Sequence, residues 1–252
     1  MQLKDKVAVV TGAARGLGRA YAEALAVEGA QIVAADLSDC SETAAAIVSG
    51  GGRCLTVPTD ITQAADCERL AEQAVSEFGR INVLVNNAAL YAGLQGARFE
   101  QLPEAQWDQV MAVNVKGTWL ASRAVVNAMR TAGGGSIINI SSLAAVYGLP
   151  YGLDYVASKS AVIGMTRAMA RELGKDRIRV NAVAPSAVMT EGTAEFFGEK
   201  FAKARQVIAG NQVIPENLET ADLTGTIIYL ASDASRFVTG QTHMVDGGSW
   251  FL

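Results

Sequence analysis

Short apolar runs alternate with longer helical stretches along this chain, and that alternation limits the fold more than any other feature. Residues 7–11, 31–36, 53–57, 82–86, 136–141, 178–183 and 242–245 read as strands. A glycine-rich turn and a helix to about residue 28 follow the first strand. Further helices are predicted over 41–49, 62–78, 153–173, 192–209 and 220–231, with a long helical zone over about 104–131. The strands are rich in Val, Ile and Ala without polar alternation, so both faces of their sheet must be covered. Strand–helix–strand units close with right-handed crossovers, which gives an α/β architecture with a parallel, doubly wound sheet and helices on both faces. No repeat, charge block or Pro/Gly-rich linker divides the 252 residues, so one domain spanning 1–252 is expected. The stretch of about 186–217 breaks the rhythm. It sets Phe196, Phe197, Phe201 and Ile214 among polar residues after a strand, as a lid over a ligand crevice would.

Composition removes several kinds of chemistry. A net charge of −4 argues against nucleic-acid or anionic-membrane partners. No apolar run is long enough to span a bilayer, and no secretory signal pattern is present. Cys40, Cys54 and Cys67 are odd in number and lack metal-ligand spacing, so a reduced, cytoplasmic setting is expected. His243 is the only histidine, which disfavours a multi-histidine metal site and a Ser-His-Asp triad. Chemistry is left to Tyr, Lys, Ser, Asn and carboxylates.

Thr11-Gly12-Ala13-Ala14-Arg15-Gly16-Leu17-Gly18 joins the first strand to the first helix. Glycines there allow close backbone approach, and the helix start offers free N–H groups to a pyrophosphate. Asp36 closes the second strand, where a carboxylate can accept hydrogen bonds from an adenosine ribose and repel a 2′-phosphate. Leu37 follows it rather than an arginine, so NAD(H) is favoured over NADP(H). Arg15 is a counterweight, since a cation in the turn could reach a 2′-phosphate.

Tyr155 and Lys159 lie four residues apart in a predicted helix and so share a face. Unit charges about 4 Å apart at an effective dielectric of ~20 interact by roughly 4 kcal/mol, or about three pKa units. Lys159 could therefore bring the Tyr155 phenol toward neutrality as a general acid/base. The pair alone is a weak signal, because a helix-surface contact has the same spacing.

Taken together, these motifs resemble those of the short-chain dehydrogenase/reductase family over nearly the whole chain. The turn has its Thr-Gly-x-x-x-Gly-x-Gly spacing. Asn86-Asn87-Ala88-Ala89 is similar to its Asn-Asn-Ala-Gly, and Asn114 lies in Asn114-Val115-Lys116-Gly117. Ser142 precedes Tyr155 by 13 residues, and Asn181-Ala182-Val183-Ala184-Pro185-Ser186 with Thr190 is similar to its nicotinamide-flanking segment. The resemblance implies a Rossmann-type fold and hydride transfer between nicotinamide and a carbinol or carbonyl carbon. It implies Asn114, Ser142, Tyr155 and Lys159 as the catalytic set: Tyr155 exchanges the proton, Lys159 lowers its pKa, Ser142 holds the substrate oxygen and Asn114 supports a proton relay. Cofactor contacts are implied for Gly12, Arg15, Gly16, Leu17, Gly18, Asp36, Leu37, Asp60, Ile61, Asn87, Ala88, Ala89, Tyr155, Lys159, Pro185, Ser186, Val188 and Thr190. No metal is implied. Two residues depart from the family pattern. Ala89 and Ser186 each stand where glycine is usual, and Ser186 adds a hydroxyl near the nicotinamide or substrate. A similar Ala-Pro-Ser, with Asp222-Leu223-Thr224-Gly225 and Thr239-Gly240-Gln241-Thr242, resembles the bacterial 1-phenylethanol dehydrogenases of this family.

Substrate walls are expected from Leu90, Tyr91, Leu94, Leu143, Val146 and Tyr151, with Ala187, Val188, Phe196 and Phe197 from the lid; Ser142 and Tyr155 meet the reacting oxygen. This set is apolar and aromatic and lacks an arginine fork, which suits a neutral secondary alcohol or ketone, cyclic or aryl. A 3-oxoacyl-carrier-protein reductase, a sugar or polyol dehydrogenase, and a non-catalytic NAD(H)-binding sensor are the alternatives. The family is usually tetrameric, so a homotetramer is expected, with the end 247–252 either at a subunit boundary or folded back on the core.

Overall fold

The computed structural model describes residues 1–251. Residue 252, included in the apolar C-terminal end considered above, lies outside the described residues. Seven strands form one parallel sheet: β1 (Val7–Thr11), β2 (Gln31–Asp36), β3 (Cys54–Pro58), β4 (Val83–Asn86), β5 (Gly135–Ile140), β6 (Ile178–Pro185) and β7 (Thr242–Val245). Their spatial order is β3-β2-β1-β4-β5-β6-β7. Sequence order reverses between β1 and β4, which register through Ala8–Val83, Val9–Leu84 and Val10–Val85. A reversal of this kind opens a crevice at the carboxyl ends of the strands, where ligands bind in open α/β sheets.

Alternation within each strand sends neighbouring side chains to opposite faces. Ala8, Val10, Ile32, Ala34, Val83 and Val85 pack beneath α1 (Gly16–Val27), α2 (Ser41–Ser49) and α10 (Thr220–Ala231), which contribute Tyr21, Leu25, Ile47, Leu223 and Ile227. Val7, Val9, Val33, Ala35 and Leu84 face the other way, onto α3 (Ala64–Phe78), α5 (Thr118–Thr131) and α7 (Leu153–Leu173), through Leu70, Val125, Met129 and Leu173. Both faces are covered, as continuous apolar strands require, and the α/β doubly wound fold is the observed one.

The element boundaries differ from the sequence reading in four places that bear on the site. The helical zone expected over 104–131 is interrupted. α4 (Glu104–Met111) passes into a π-helical turn, Ala112–Gly117, before α5 begins. A side chain at Gly117 would meet Ile61 Cδ1 at 2.6 Å, so glycine lets this wide turn press against the β3–α3 loop. A short helix, α6 (Ala144–Tyr147), follows β5 immediately. The predicted helix over 192–209 is two, α8 (Glu191–Phe197) and α9 (Phe201–Gly210), because Gly198 adopts φ 51° between them. β6 continues to Pro185, two residues beyond the predicted end. Among the described residues no helix is long and apolar enough to cross a membrane, and no group of three or more His, Cys, Asp or Glu is placed to hold a metal ion.

Candidate active site

The turn after β1 is shaped by close contact rather than by loop flexibility. Gly12 has φ 67°, and a Cβ on it would lie 2.8 Å from Ala88 Cα. A Cβ on Gly18 would lie only 1.9 Å from the Gly12 carbonyl oxygen. Gly16 has φ 57° but open space around it, with Thr190 Cβ the nearest atom at 4.0 Å. Asn87, at the end of β4, fastens this turn. Its Nδ2 donates to Thr11 O (3.0 Å) and Gly12 O (3.1 Å), while the Asn87 and Ala88 N–H groups both donate to Thr11 Oγ1 at 3.1 Å. The two strand ends that flank the crevice are thus one hydrogen-bonded unit.

Asp36 stands at the end of β2, as expected. Its carboxylate accepts from Ala14 N in the glycine turn (3.0 Å) and from Ser38 N (2.9 Å). The side chain of Leu37 is 75% exposed and makes no enclosing wall. Asp60 caps the loop after β3, accepting from Thr62 N (2.9 Å) and Thr62 Oγ1 (2.7 Å), and Ile61 is buried against the π-turn. Arg15 is paired with α8. Its guanidinium takes the Glu195 carboxylate in both arms, at 2.6 and 3.2 Å, with Glu191 3.9 Å away. That pairing holds the Glu195 carboxyl below the usual carboxylate range.

On the other side of the crevice, Tyr155 and Lys159 project from the first turns of α7. Lys159 Nζ lies 5.8 Å from the Tyr155 ring centre and donates to Ile140 O at the end of β5 (2.9 Å). Ser141 Oγ donates to Lys159 O (2.9 Å), tying strand to helix a second time. Ser142 is the next residue along. Its Oγ accepts from Ala144 N at the start of α6 (3.2 Å), and it also hydrogen-bonds Tyr155. Burial dominates both titrating groups. It pushes the Tyr155 phenol up to about 12, against a smaller lowering by Ser142, and the Lys159 ammonium down to about 8. Desolvation is thus the largest influence on each group.

Asn114 is fully buried in the π-turn. Its Oδ1 accepts from Leu90 N (2.7 Å), and Nδ2 donates to Leu90 O (3.2 Å) and Ser158 Oγ (3.1 Å). Both amide hydrogens are committed, so the side chain braces the loop after β4 against α7. What it retains for a water in a relay is the second lone pair of Oδ1.

These walls enclose a crevice of about 580 Å³. Leu17, Asn87, Ala89, Ser142, Tyr155, Lys159, Pro185, Ser186, Val188 and Thr190 line it, as do the predicted substrate residues Leu143, Ala187, Phe196 and Phe197. Tyr91 links its catalytic and outer parts. The Tyr91 ring sits 5.2 Å from that of Tyr155 and stacks on Phe196 at 4.7 Å, and Phe197 meets Phe196 edge-on at 5.1 Å. Tyr151 is elsewhere. It is 64% exposed with φ 64°, its carbonyl accepts from Ala97 N, and Tyr147 of α6 lines the crevice in its place. Leu90, Leu94 and Val146 likewise are not among the lining residues.

The sequence reading missed Ser158, Gln212 and Trp250. Gln212 carries the clearest consequence, because Ser186 Oγ donates to its Oε1 (3.0 Å) while its Nε2 donates to Ile214 O (3.3 Å) and Glu216 O. The hydroxyl that replaces a glycine at 186 is thus engaged by the segment beside α9. Nothing in the local sequence signalled this partner.

A sequence model described as enoyl-(acyl carrier protein) reductase matches residues 12–249. The 2-dehydro-3-deoxy-D-gluconate 5-dehydrogenase of Escherichia coli K12 is 38% identical over 250 residues, covering 98% of this chain and 96% of that protein. The chain belongs to the short-chain dehydrogenase/reductase family. Another member, the 3-oxoacyl-[acyl-carrier-protein] reductase FabG of Thermotoga maritima, is 37% identical, with 98% and 99% of the two chains covered. The crystal structure of a carveol dehydrogenase from Mycobacterium avium in complex with NAD superposes with a TM-score of 0.92 at 31% identity, over 98% of each chain. Short-chain dehydrogenase/reductase membership makes this an oxidoreductase with a nicotinamide-dinucleotide fold.

Proposed function

We propose that this protein is an NAD(H)-dependent oxidoreductase that interconverts a neutral secondary alcohol and its ketone, with a cyclic or aryl substituent. One observation carries the reading: Ser142, Tyr155 and Lys159 line one crevice together with Leu17, which follows the glycine turn's Gly16, and with Asn87, which fastens that turn. The residues present fit a dinucleotide, because Gly12 and Gly18 let the turn pack tightly at the start of α1, Gly16 leaves open space beside it, and a helix start offers free N–H groups to a pyrophosphate. Bound nicotinamide supplies or accepts the hydride.

In ketone reduction Tyr155 donates its proton to the carbonyl oxygen, and Ser142 Oγ donates a hydrogen bond to the same oxygen as negative charge develops on it. In oxidation Tyr155 takes the hydroxyl proton back. Burial keeps the phenol in its protonated form, the form that can donate. Lys159 places positive charge beside the phenolate and opposes the desolvation that disfavours it. Asn114 fixes the loop over this pair and supports the proton path to Lys159.

Asp36 favours NAD(H) because its carboxylate sits at the end of β2 with no arginine following. Tyr91, Tyr147, Leu143, Phe196, Phe197 and Trp250 make the substrate side apolar and aromatic, and no arginine or histidine lines it. A sugar or polyol substrate is the second reading. Thr193, Asn211 and Ser249 also line the crevice, and several relatives are named for such substrates, D-threitol dehydrogenase of Mycolicibacterium smegmatis at 38% identity among them. A homotetramer is proposed on the family resemblance and on exposed Trp119, Tyr229 and Phe237.

Tyr155→Phe tests the assignment. The variant should bind NADH as the parent does and lose turnover on aryl, cyclic and polyol substrates by orders of magnitude, about two to four by the usual contribution of a positioned acid. Turnover within tenfold of the parent would remove Tyr155 from the reaction.

A further inference from the structure

Arg15 is the one residue of the glycine turn whose chemistry points toward the wrong cofactor. A guanidinium at the start of α1, near Asp36, is well matched to a 2′-phosphate, since its fork binds phosphate oxygens in pairs. The structure shows that fork already filled. Nη1 and Nη2 each bind one oxygen of Glu195, at 2.6 and 3.2 Å, and Glu191 stands 3.9 Å from Nη1. Both carboxylates come from α8, far from the turn in sequence. Thr190, the N-cap of α8, is the atom neighbour nearest to Gly16 in open space, so α8 lies directly over the turn.

We infer that Glu195, with Glu191 in support, is a cofactor-selecting residue: it occupies the Arg15 guanidinium, so that no cation answers a 2′-phosphate and Asp36 alone addresses the adenosine ribose. This rests on the NAD(H) reading above. The pair is half-exposed on both sides, with side chains 56% and 48% accessible, so it contributes little to holding the fold together. Its effect is on charge. Two carboxylates, those of Glu195 and Glu191, stand at 2.6 and 3.9 Å from the cation, and a phosphate dianion would have to displace the Glu195 carboxylate to reach it. The selection is divided between two distant parts of the chain. Asp36 repels from the sheet, and α8 withholds the attraction that Arg15 would offer.

The glutamines Glu195→Gln and Glu191→Gln/Glu195→Gln keep shape and remove charge. Dissociation constants for NADH and NADPH are measured by quenching of tryptophan fluorescence, without turnover, in the parent, in both variants, and in each with Arg15→Met added. The NADPH/NADH ratio of dissociation constants should be well above one in the parent. It should fall about tenfold in the double glutamine variant, as expected for one freed charge-assisted bidentate contact, with a smaller fall in the single variant. Adding Arg15→Met should abolish the fall. An unchanged ratio in the double variant overturns the inference, and so does a fall that persists without Arg15, which would assign the effect to net charge alone. A parent that binds both cofactors equally overturns the NAD(H) reading itself, a result distinct from either.

Discussion

Gly18 and Gly16 are two glycines of one turn that are required for different reasons, and substituting each with alanine separates those reasons. At Gly18 the backbone is in an ordinary region, so alanine has no conformational penalty there, but its Cβ would sit 1.9 Å from Gly12 O and 2.6 Å from Asn87 Nδ2. The contact with Gly12 O is about 1 Å shorter than the 3.0 Å below which real Cβ atoms are essentially never found. Neither neighbour is a flexible tip. Gly12 O is backbone, and Asn87 Nδ2 is held by two carbonyls. The turn must therefore move by about 1 Å, at a cost of roughly 1–3 kcal/mol by analogy with overpacked cores. In a chain of this size that is roughly 2–12 °C of melting temperature. At Gly16 the reverse holds. There is open space to 4.0 Å, but φ 57° imposes about 1–2 kcal/mol on an L side chain. Gly18→Ala should lose both stability and NADH affinity, the latter by on the order of a hundredfold, since a 1 Å misplacement at a site has effects of that size. Differential scanning calorimetry and NADH titration read the two quantities. Gly18→Ala with parental melting and NADH affinity within twofold would refute the idea that close backbone approach shapes this turn.

Two further perturbations probe the other wall. Gln212→Ala removes the acceptor of Ser186 Oγ and the donor to Ile214 O and Glu216 O, and should raise KM for the alcohol several-fold with a smaller change in kcat, as expected of about 1 kcal/mol for the one bond that reaches the crevice wall at Ser186; Ser186→Gly in the same background should add little, and additive losses would show that the two side chains act independently. Lys159 supplies a pH test of stability. Its folded value is depressed to about 8 from the ordinary 10.5, so between these values the unfolded chain binds the proton more tightly and stability rises with pH, while the raised Tyr155 acts in the opposite sense only above pH 10. Urea midpoints should increase from pH 7.5 to 9.5 in the parent and show less increase in Lys159→Met; equal slopes would contradict the depressed lysine.

What could be read in the sequence followed the kind of physics involved. The sheet was legible because continuous Val, Ile and Ala runs admit only a doubly covered parallel sheet, and observed strands agree with those runs to within about two residues. The glycine turn and the Tyr155–Lys159 face were legible because both depend on local spacing. The π-turn at Ala112–Gly117 was not, because the α and π patterns differ by a single hydrogen-bond register, and the residue it packs against through Gly117, Ile61, lies some fifty residues away. Tyr147 and Tyr151 show the same limit. Both are aromatic and close to Tyr155 in sequence, yet the left-handed backbone at Tyr151 turns one outward while the short helix α6 turns the other in. Ser186 is the third case. Its departure from glycine suggested a hydroxyl near the nicotinamide or substrate, and Ser186 lines the crevice, but its bond to Gln212 depends on a tertiary contact the sequence does not show.

The position of Tyr155 shows why the four-residue spacing was a necessary clue and an incomplete one. Spacing fixed which two side chains share a helix face, and the structure keeps them together, with Nζ 5.8 Å from the ring. Spacing says nothing about solvent, and here the same burial that brings the amine close to the phenol removes both from water. Desolvation raises an acid and lowers a base, so it drives the pair toward phenol and amine, while their mutual attraction favours phenolate and ammonium. At the ε ≈ 4 limit of the interior the attraction would dominate, whereas at an effective value near 20 it is only a few kcal/mol. A group held as neutral phenol by burial, yet beside a cation that steadies its conjugate base, can surrender a proton to a developing alkoxide and recover it without becoming a permanent charge in the crevice.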